Sequence, residues 1–300
     1  MNDNQIKITV LTSLYRCERY LPSFFNYLKE LKHTSNIEVL LLHNDPQMDE
    51  EDIVKNNIET LPFVKHIPIL QRESLYQTWN RGIEAAKGEY ICVWNVDDIR
   101  LPESIHEQSV TLDENPDSML TYGDFYFMYK YGEPSTVFVN NPNYSQNKKT
   151  FLKKHHIGCF PMWRKALHGK IGYFDEQFRL VADFDFQIRT ALNCKLVKTN
   201  SVLGYYLDND PNKLSSNYIL QTKERTLLYL RYAIFEYLDW IFVPSAIKSY
   251  KVREALYSGN YHRISLDKFF VAKRIYLLFI SIFRQPRYIL TYIKRGILNK

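Results

Sequence analysis

Ile37-Glu38-Val39-Leu40-Leu41-Leu42 holds one polar side chain in six residues. A strand with one wet face alternates polar and apolar residues; a strand this apolar must be covered on both faces. Further strands are expected at Ile6–Leu11, at His66–Leu70 and at Glu89–Trp94. Between these runs lie segments with apolar residues at helical spacing, such as Leu21, Phe24, Phe25, Leu28 and Leu31 within Glu18–Leu31. Further helices are expected over Asp49–Leu61 and Ser74–Lys87, the last closed by Gly88 as C-cap. Strand and helix alternating over short links predict an α/β fold with an open, mostly parallel sheet flanked by helices.

Open sheets of this kind bind ligands beyond the carboxyl ends of their strands. Tyr15, Asn44 and the pair Asp97-Asp98 all stand just past predicted strand ends, so three separate stretches converge on one crevice. Two adjacent carboxylates there suit Mg²⁺ or Mn²⁺, which take hard oxygen ligands and are held by one or two carboxylates together with substrate phosphates. A structural role for Asp98, capping the helix expected over Pro102–Glu114, is the competing explanation. Farther along, Met119–Tyr131 and Val197–Leu207 have strand character, residues 140–150 are polar and expected to be mobile, and Phe174–Leu192 carries Asp183 and Asp185 into a helical run. Beyond Asn217 the pattern is helical, with a stripe of Leu227, Leu230, Ile234, Leu238 and Ile241 and a second helix over Leu266–Phe283.

Four ordered stretches resemble the family 2 glycosyltransferases. Val10-Leu11-Thr12-Ser13-Leu14-Tyr15-Arg16 is similar to the family's first strand and turn. Asn80-Arg81-Gly82, followed by Gly88-Glu89-Tyr90-Ile91 and then Asn95-Val96-Asp97-Asp98, resembles its N-x-G segment leading into D-x-D-D. Ile171-Gly172-Tyr173-Phe174-Asp175-Glu176 is similar to G-x-F-D-E. Ala182-Asp183-Phe184-Asp185-Phe186-Gln187-Ile188-Arg189 resembles E-D-x-D-L-x-x-R. The resemblance covers residues 6 to about 207 and implies a GT-A, Rossmann-like fold and inverting transfer of a sugar from a nucleotide-sugar donor, here a UDP-sugar. By position it implies donor contacts at Ser13, Tyr15, Asn44, Asn80, Asn95 and Asp97, a metal ligand at Asp98 and a general base at Asp183. Asp185 and Arg189 are secondary candidates: in a helix Asp183 and Asp185 diverge by about 200°, which leaves Asp185 free to pair with Arg189 one turn on.

The sequence departs from the family at several points. His43-Asn44 stands where Asp-Asp or Asp-Asn is usual, Asn95 replaces the first acid of D-x-D-D, and Ala182 replaces a Glu. Where Y-R-x-H is common, Tyr206-Leu207-Asp208-Asn209 continues to Asp210, so Asn209, Asp210 or a water takes the place of the metal-binding His. These departures keep a non-catalytic relative as an alternative. A nucleotidyltransferase is another, although Ser13-Leu14-Tyr15-Arg16 lacks the Gly-rich phosphate loop that such an enzyme uses.

Charge divides the 300-residue chain. Residues 263–300 carry nine Lys or Arg and one acid, a net +8, while the whole chain is +6, so residues 1–262 are −2. Lys273, Arg274, Arg284, Arg287, Lys294 and Arg295 lie among apolar and aromatic residues. The longest uncharged run, Ile275–Phe283, is short of the roughly 20 residues a spanning helix needs. The tail therefore reads as a segment for an anionic membrane surface or as a helix packed on the catalytic domain; nucleic-acid binding is not expected. The domain reading is a catalytic domain over 1–217, with a nucleotide-sugar half at 1–115 and an acceptor half at 116–217, and a helical extension over 218–300. No secretory signal is expected from the N-terminal residues. The four cysteines, at 17, 92, 159 and 194, suit reduced thiols. Together these point to a cytoplasmic enzyme, peripheral on the inner face of the cell membrane, that uses a glycan or lipid-linked acceptor in surface polysaccharide synthesis.

Overall fold

The structure, a computed structural model, describes residues 5–208, 217–234, 242–264, 275–276 and 279. The chain divides into two units, Met1–Phe174 with Phe186–Asn212, and Asp175–Asp185 with Lys213–Lys300. The first unit contains β1 (Ile8–Leu14), α1 (Leu21–Glu30), β2 (Ile37–Asn44), α2 (Met48–Ile58), β3 (Val64–Ile69), α3 (Leu75–Ala85), β4 (Tyr90–Val93), β5 (Ile99–Arg100), α4 (Ser104–Glu114), β6 (Ser118–Lys130), β7 (Glu133–Val139), α5 (Thr150–Lys153), β8 (Met162–Arg164) and α6 (His168–Ile171). Helix α7 (Ala182–Asn193) starts in the second unit and ends in the first, which closes with β9 (Lys195–Leu207). The second unit adds α8 (Tyr218–Tyr232), α9 (Val243–Ser249), β10 (Glu254–Tyr257) and β11 (Asn260–Arg263).

One sheet organises the first unit, in the order β3-β2-β1-β4-β8-β6-β9-β5, with β7 paired to β6. The β3-β2-β1-β4 side is parallel throughout. Past β4 the sheet is mixed: β8 runs antiparallel to both β4 and β6, β5 is antiparallel to β9, and β6 and β9 are parallel. The parallel expectation therefore holds for the half built from alternating strands and helices. Helix α1 buries Leu21, Phe24, Phe25 and Leu28 against Val10, Val39, Leu41 and Trp94, each such side chain contributing about 1.5–3 kcal/mol. Phe24 meets Trp94 edge-on at 5.2 Å, so the first helix seats the residue that opens the acidic turn.

Two local expectations change. Gly88 is not the C-cap of α3: the helix ends at Ala85, and its C-cap is Ala86, in extended backbone. Gly88 instead lies against β1, where an added Cβ would sit 2.5 Å from the Thr9 nitrogen. Residues 140–150 are tied down rather than loose. Asn141 donates to Gly123 O at 2.8 Å, and the Tyr122 hydroxyl donates to Pro142 O and accepts from Tyr144 N. In the second unit α8 ends at Tyr232, with Ala233 left-handed at φ 48°. Leu238 and Ile241 of the predicted stripe, Asn209 and Asp210, the predicted 266–283 helix save residues 275, 276 and 279, and the basic tail beyond 264 lie outside the described residues.

Candidate active site

Strand β4 delivers Trp94 to a tight turn in which Asp98 N donates to Asn95 O at 3.1 Å and the indole Nε1 of Trp94 donates to Asp98 O at 3.0 Å. Asp98 is 1% exposed. Its Oδ1 accepts from Leu207 N at 3.2 Å and its Oδ2 from the Asn95 amide at 3.1 Å. Asp97, its neighbour, is only partly buried. Behind the turn Arg100 is fully buried; it donates to Val93 O and to Gln108 Oε1, both at 2.8 Å. Burial lowers its pKa, while the nearby Asp98 carboxylate is among the groups pulling it back up. The acidic pair is thus unequal: one carboxylate is braced inside the fold and the other is only partly buried.

At the end of β1, Ser13 and Tyr15 are partly buried. The guanidinium of Arg72 lies 3.1 Å from the Tyr15 ring centroid, and that of Arg16 at 5.2 Å. Partial desolvation lowers the Arg72 pKa. The sequence reading missed Arg72; a lone arginine in the loop after β3 carries no pattern that marks it.

Asn44, expected to read the base, is 3% exposed and committed to the fold. Its Nδ2 donates to Glu73 O at 2.8 Å and Thr78 Oγ1 at 3.2 Å, and its Oδ1 accepts from Glu73 N at 2.9 Å. An amide has two N–H donors, and both are used. Asn44 therefore ties the end of β2 to the loop that carries Arg72. Its neighbour His43 is buried too, with Nε2 3.3 Å from Glu50 and Nδ1 2.9 Å from His66. Burial would raise the Glu50 pKa, but hydrogen bonds from His43 and from Cys17 lower it overall. Burial, with Glu50 alongside, pushes the Cys17 thiol well above its ordinary range, which fits an inert reduced cysteine.

Asn80 is likewise structural in placement. Its Nδ2 donates to Phe174 O at 2.9 Å and its Oδ1 accepts from Phe174 N at 3.0 Å, a two-bond clamp across 94 residues. Arg189 donates to Ile171 O at 2.5 Å and Tyr173 O at 2.8 Å. The N-x-G asparagine and the arginine of the fourth motif thus hold the two ends of Ile171–Phe174.

In the second unit Asp183 is partly buried in the first turn of α7, and its Oδ1 accepts from Phe184 N at 2.7 Å. Asp185 is fully buried, bound by Arg231 Nη1 at 2.9 Å and by the Tyr232 hydroxyl at 2.7 Å. The angular divergence expected from a helix therefore gives the two acids different surroundings, and Asp183 is the more open.

No group of three or more His, Cys, Asp or Glu side chains among the described residues is arranged to hold a metal ion by itself. Asp97 and Asp98 still fit Mg²⁺ or Mn²⁺ in the mode where a diphosphate and waters supply the other oxygens.

Residues 9–171 match the family described as Glycosyl transferase family 2. An uncharacterized glycosyltransferase of Methanocaldococcus jannaschii is 24% identical over 220 residues, 71% of this chain and 74% of that protein. A PGL/p-HBAD biosynthesis glycosyltransferase of Mycobacterium tuberculosis is 28% identical over 127 residues, 42% of this chain; the match spans 46% of that protein, less than half its length. Among solved structures, Staphylococcus aureus TarS 1-349 in complex with UDP-GlcNAc superposes with a TM-score of 0.61 at 18% identity, over 75% of this chain and 65% of that one. The mannosyltransferase PcManGT from Pyrobaculum calidifontis, in complex with GDP-Man and Mn²⁺, gives 0.57 at 12% identity, over 81% of this chain and 68% of that one. These likenesses show the fold, a GT-A-type mixed α/β architecture.

Proposed function

The chain belongs to glycosyl transferase family 2 and is a glycosyltransferase; from that premise we propose that it inverts the anomeric carbon as it moves a sugar from a UDP-sugar to a glycan or lipid-linked acceptor. The observation that carries the reading is the turn after β4, with a partly buried Asp97 beside a braced Asp98. Burial argues against the division expected from the sequence, with metal on Asp98 and ribose on Asp97. The less buried carboxylate is the better ligand for a divalent ion shared with a diphosphate, and the buried one holds the turn. We therefore assign the metal to Asp97, with Asp98 and Asn95 as its support. The metal, when bound, stabilises charge on the departing nucleoside diphosphate.

The rest of the assignment is this chain's own chemistry. Tyr15 stacks the nucleotide base, and Arg72, resting on the same ring, offers a cation to base or phosphate. Asp183 takes the proton of the attacking hydroxyl, since inversion needs one base opposite the leaving group. The UDP assignment draws support from the TarS complex, and the GDP-Man complex of PcManGT makes a guanosine donor the competing outcome. The basic 263–300 tail supports a peripheral role at an anionic membrane in surface polysaccharide synthesis; no helix among the described residues is long and apolar enough to cross a bilayer.

A panel of nucleotide sugars with Mn²⁺ tests the reading by thermal shift and donor hydrolysis. A UDP-sugar should shift the melting temperature and be slowly hydrolysed. Asp97→Asn should remove the metal-dependent part of the shift, and Asp183→Asn should keep the shift and lose turnover. No shift with any nucleotide sugar would overturn the donor assignment.

A further inference from the structure

The segment Asp175–Asp185 carries Asp183 and is held by α8 at both ends. Arg231 of α8 is 0% exposed, as are Asp175 and Asp185, and its Nη1 lies 2.9 Å from each carboxylate. Its Nε donates to Val252 O at 3.0 Å, and its Nη2 to Lys251 O at 3.1 Å and Glu254 O at 3.0 Å. A guanidinium has five N–H donors in a fixed fork, and here five acceptors surround it. The next residue, Tyr232, adds its hydroxyl to Asp185 Oδ1 at 2.7 Å.

Two turns earlier on α8, Glu224 is also 0% exposed. Its Oε1 accepts from Arg179 N at 2.9 Å and its Oε2 from Leu180 N at 2.8 Å. Tyr250 donates its hydroxyl to the same carboxylate at 3.0 Å. Residues 175, 179, 180 and 185 are therefore each fastened by a buried charged side chain of α8, and Asp183 lies inside that span.

Energetics say what such an arrangement is for. Burying two carboxylates and a guanidinium carries a large desolvation penalty that their attraction must offset, and well-packed apolar residues often serve stability as well or better. Burial raises the Asp175 and Glu224 pKa values even against their hydrogen-bond donors. What charged, directional bonds supply that apolar packing does not is a single backbone geometry. A general base requires that, since it must come within about 2.6–3.2 Å of the proton it takes, and a 1 Å displacement costs on the order of 100-fold in rate.

We propose that Arg231, Tyr232 and Glu224 are positioning residues that fix Asp183 for proton abstraction, so that helix α8 is part of the catalytic apparatus. This rests on Asp183 being the base.

The test uses the full-length chain, Mn²⁺, the UDP-sugar that gives the largest thermal shift, and water as acceptor, below the onset of unfolding of every variant. Tyr232→Phe removes one hydroxyl and Glu224→Gln removes one charge, so both are mild changes. Each should lower kcat on the order of tenfold while leaving donor KM within about twofold, the split expected when binding is intact and the base is displaced. Wild-type kcat in both variants, or kcat and donor KM degrading together, would overturn the proposal. Asp183→Asn in the same assay separates the two ideas. If it loses turnover while Tyr232→Phe and Glu224→Gln do not, only the positioning role fails; if it keeps turnover, the base assignment fails and this inference with it.

Discussion

The Asn95 amide donates to Oδ2 of Asp98 across 3.1 Å while Leu207 N donates to its Oδ1 at 3.2 Å, so a buried carboxylate is fastened from β9 on one side and from its own turn on the other. Removing the Asn95 donor leaves that carboxylate short of a charge-assisted partner, worth about 1.5–3 kcal/mol. Part of the loss should appear as looser placement of Asp97. Asn95→Ala is therefore expected to weaken UDP binding in Mn²⁺ roughly fivefold or more and to lower the melting temperature, measured by calorimetric titration and by thermal unfolding. Unchanged affinity would mean that the Asp97 carboxylate does not depend on the brace beneath it.

Asn44 tests whether loop geometry is worth as much as direct contact. It offers no free N–H to a ligand, because both are spent on Glu73 O and Thr78 Oγ1. Asn44→Ala should cost about 1–3 kcal/mol of stability through the orphaned Glu73 backbone groups. Nucleotide affinity should fall as well, because the loop that lays Arg72 on Tyr15 is released. Arg72→Ala should lower affinity with little change in stability. If Asn44→Ala weakens binding and Arg72→Ala does not, the amide reaches the nucleotide in some other way.

The difference between these asparagines and the motif that contains them explains what could be read from the chain. Alternation of apolar strands and amphipathic helices through β4 is a local periodicity, so the parallel half of the sheet and the place where Asp97-Asp98 emerges were legible. Strand β8 was not, because Met162-Trp163-Arg164 is three residues long and shows no period. Adjacent acids identify a site but not which acid is buried: that is decided by Leu207, 109 residues away. For Asp185 spacing offered Arg189, one helical turn on, but could not reveal the buried guanidinium of Arg231, 46 residues away, that bonds it. Spacing rules report neighbours on one element and say nothing of side chains that meet through the fold.

Gly88 separates a packing requirement from a capping one. A Cβ there would stand 2.5 Å from Thr9 N and 2.7 Å from Ile8 C, both backbone atoms that no side-chain rotation can move. Gly88→Ala should therefore force β1 away and cost about 1–3 kcal/mol or more, as overpacking does. Gly169→Ala is the control, since nothing lies within 4 Å of its Cβ position and the residue sits in α6. It should be neutral or slightly stabilising by urea denaturation. Equal effects of the two substitutions would point to unfolded-state entropy instead of contact with β1.

His168 gives the chain a pH dependence whose sign can be worked out. Trp163 Nε1 donates to His168 Nε2 at 2.8 Å, and an indole nitrogen can only donate; the Gly172 carbonyl, 3.1 Å from Nδ1, can only accept. The imidazole is therefore neutral with its proton on Nδ1, and protonating Nε2 would break the Trp163 bond inside the core. Burial, with smaller contributions from Arg189 and Lys165, lowers its pKa from 6.5 to about 4 despite the Gly172 carbonyl, which favours the charged form. With the folded value below the unfolded one, the unfolded chain binds more protons between them. The contribution of His168 is thus fully present above pH 6.5 and is lost as pH falls toward 4, about 3 kcal/mol over that window. His156 is also lowered to about 4, by burial and by His155 and Lys154, and adds to the same slope. Urea unfolding between pH 7 and pH 4.5 should show stability falling with acid, and His168→Gln should flatten a large part of that fall. An unchanged slope in His168→Gln would place the pH dependence on His156 and the carboxylates instead.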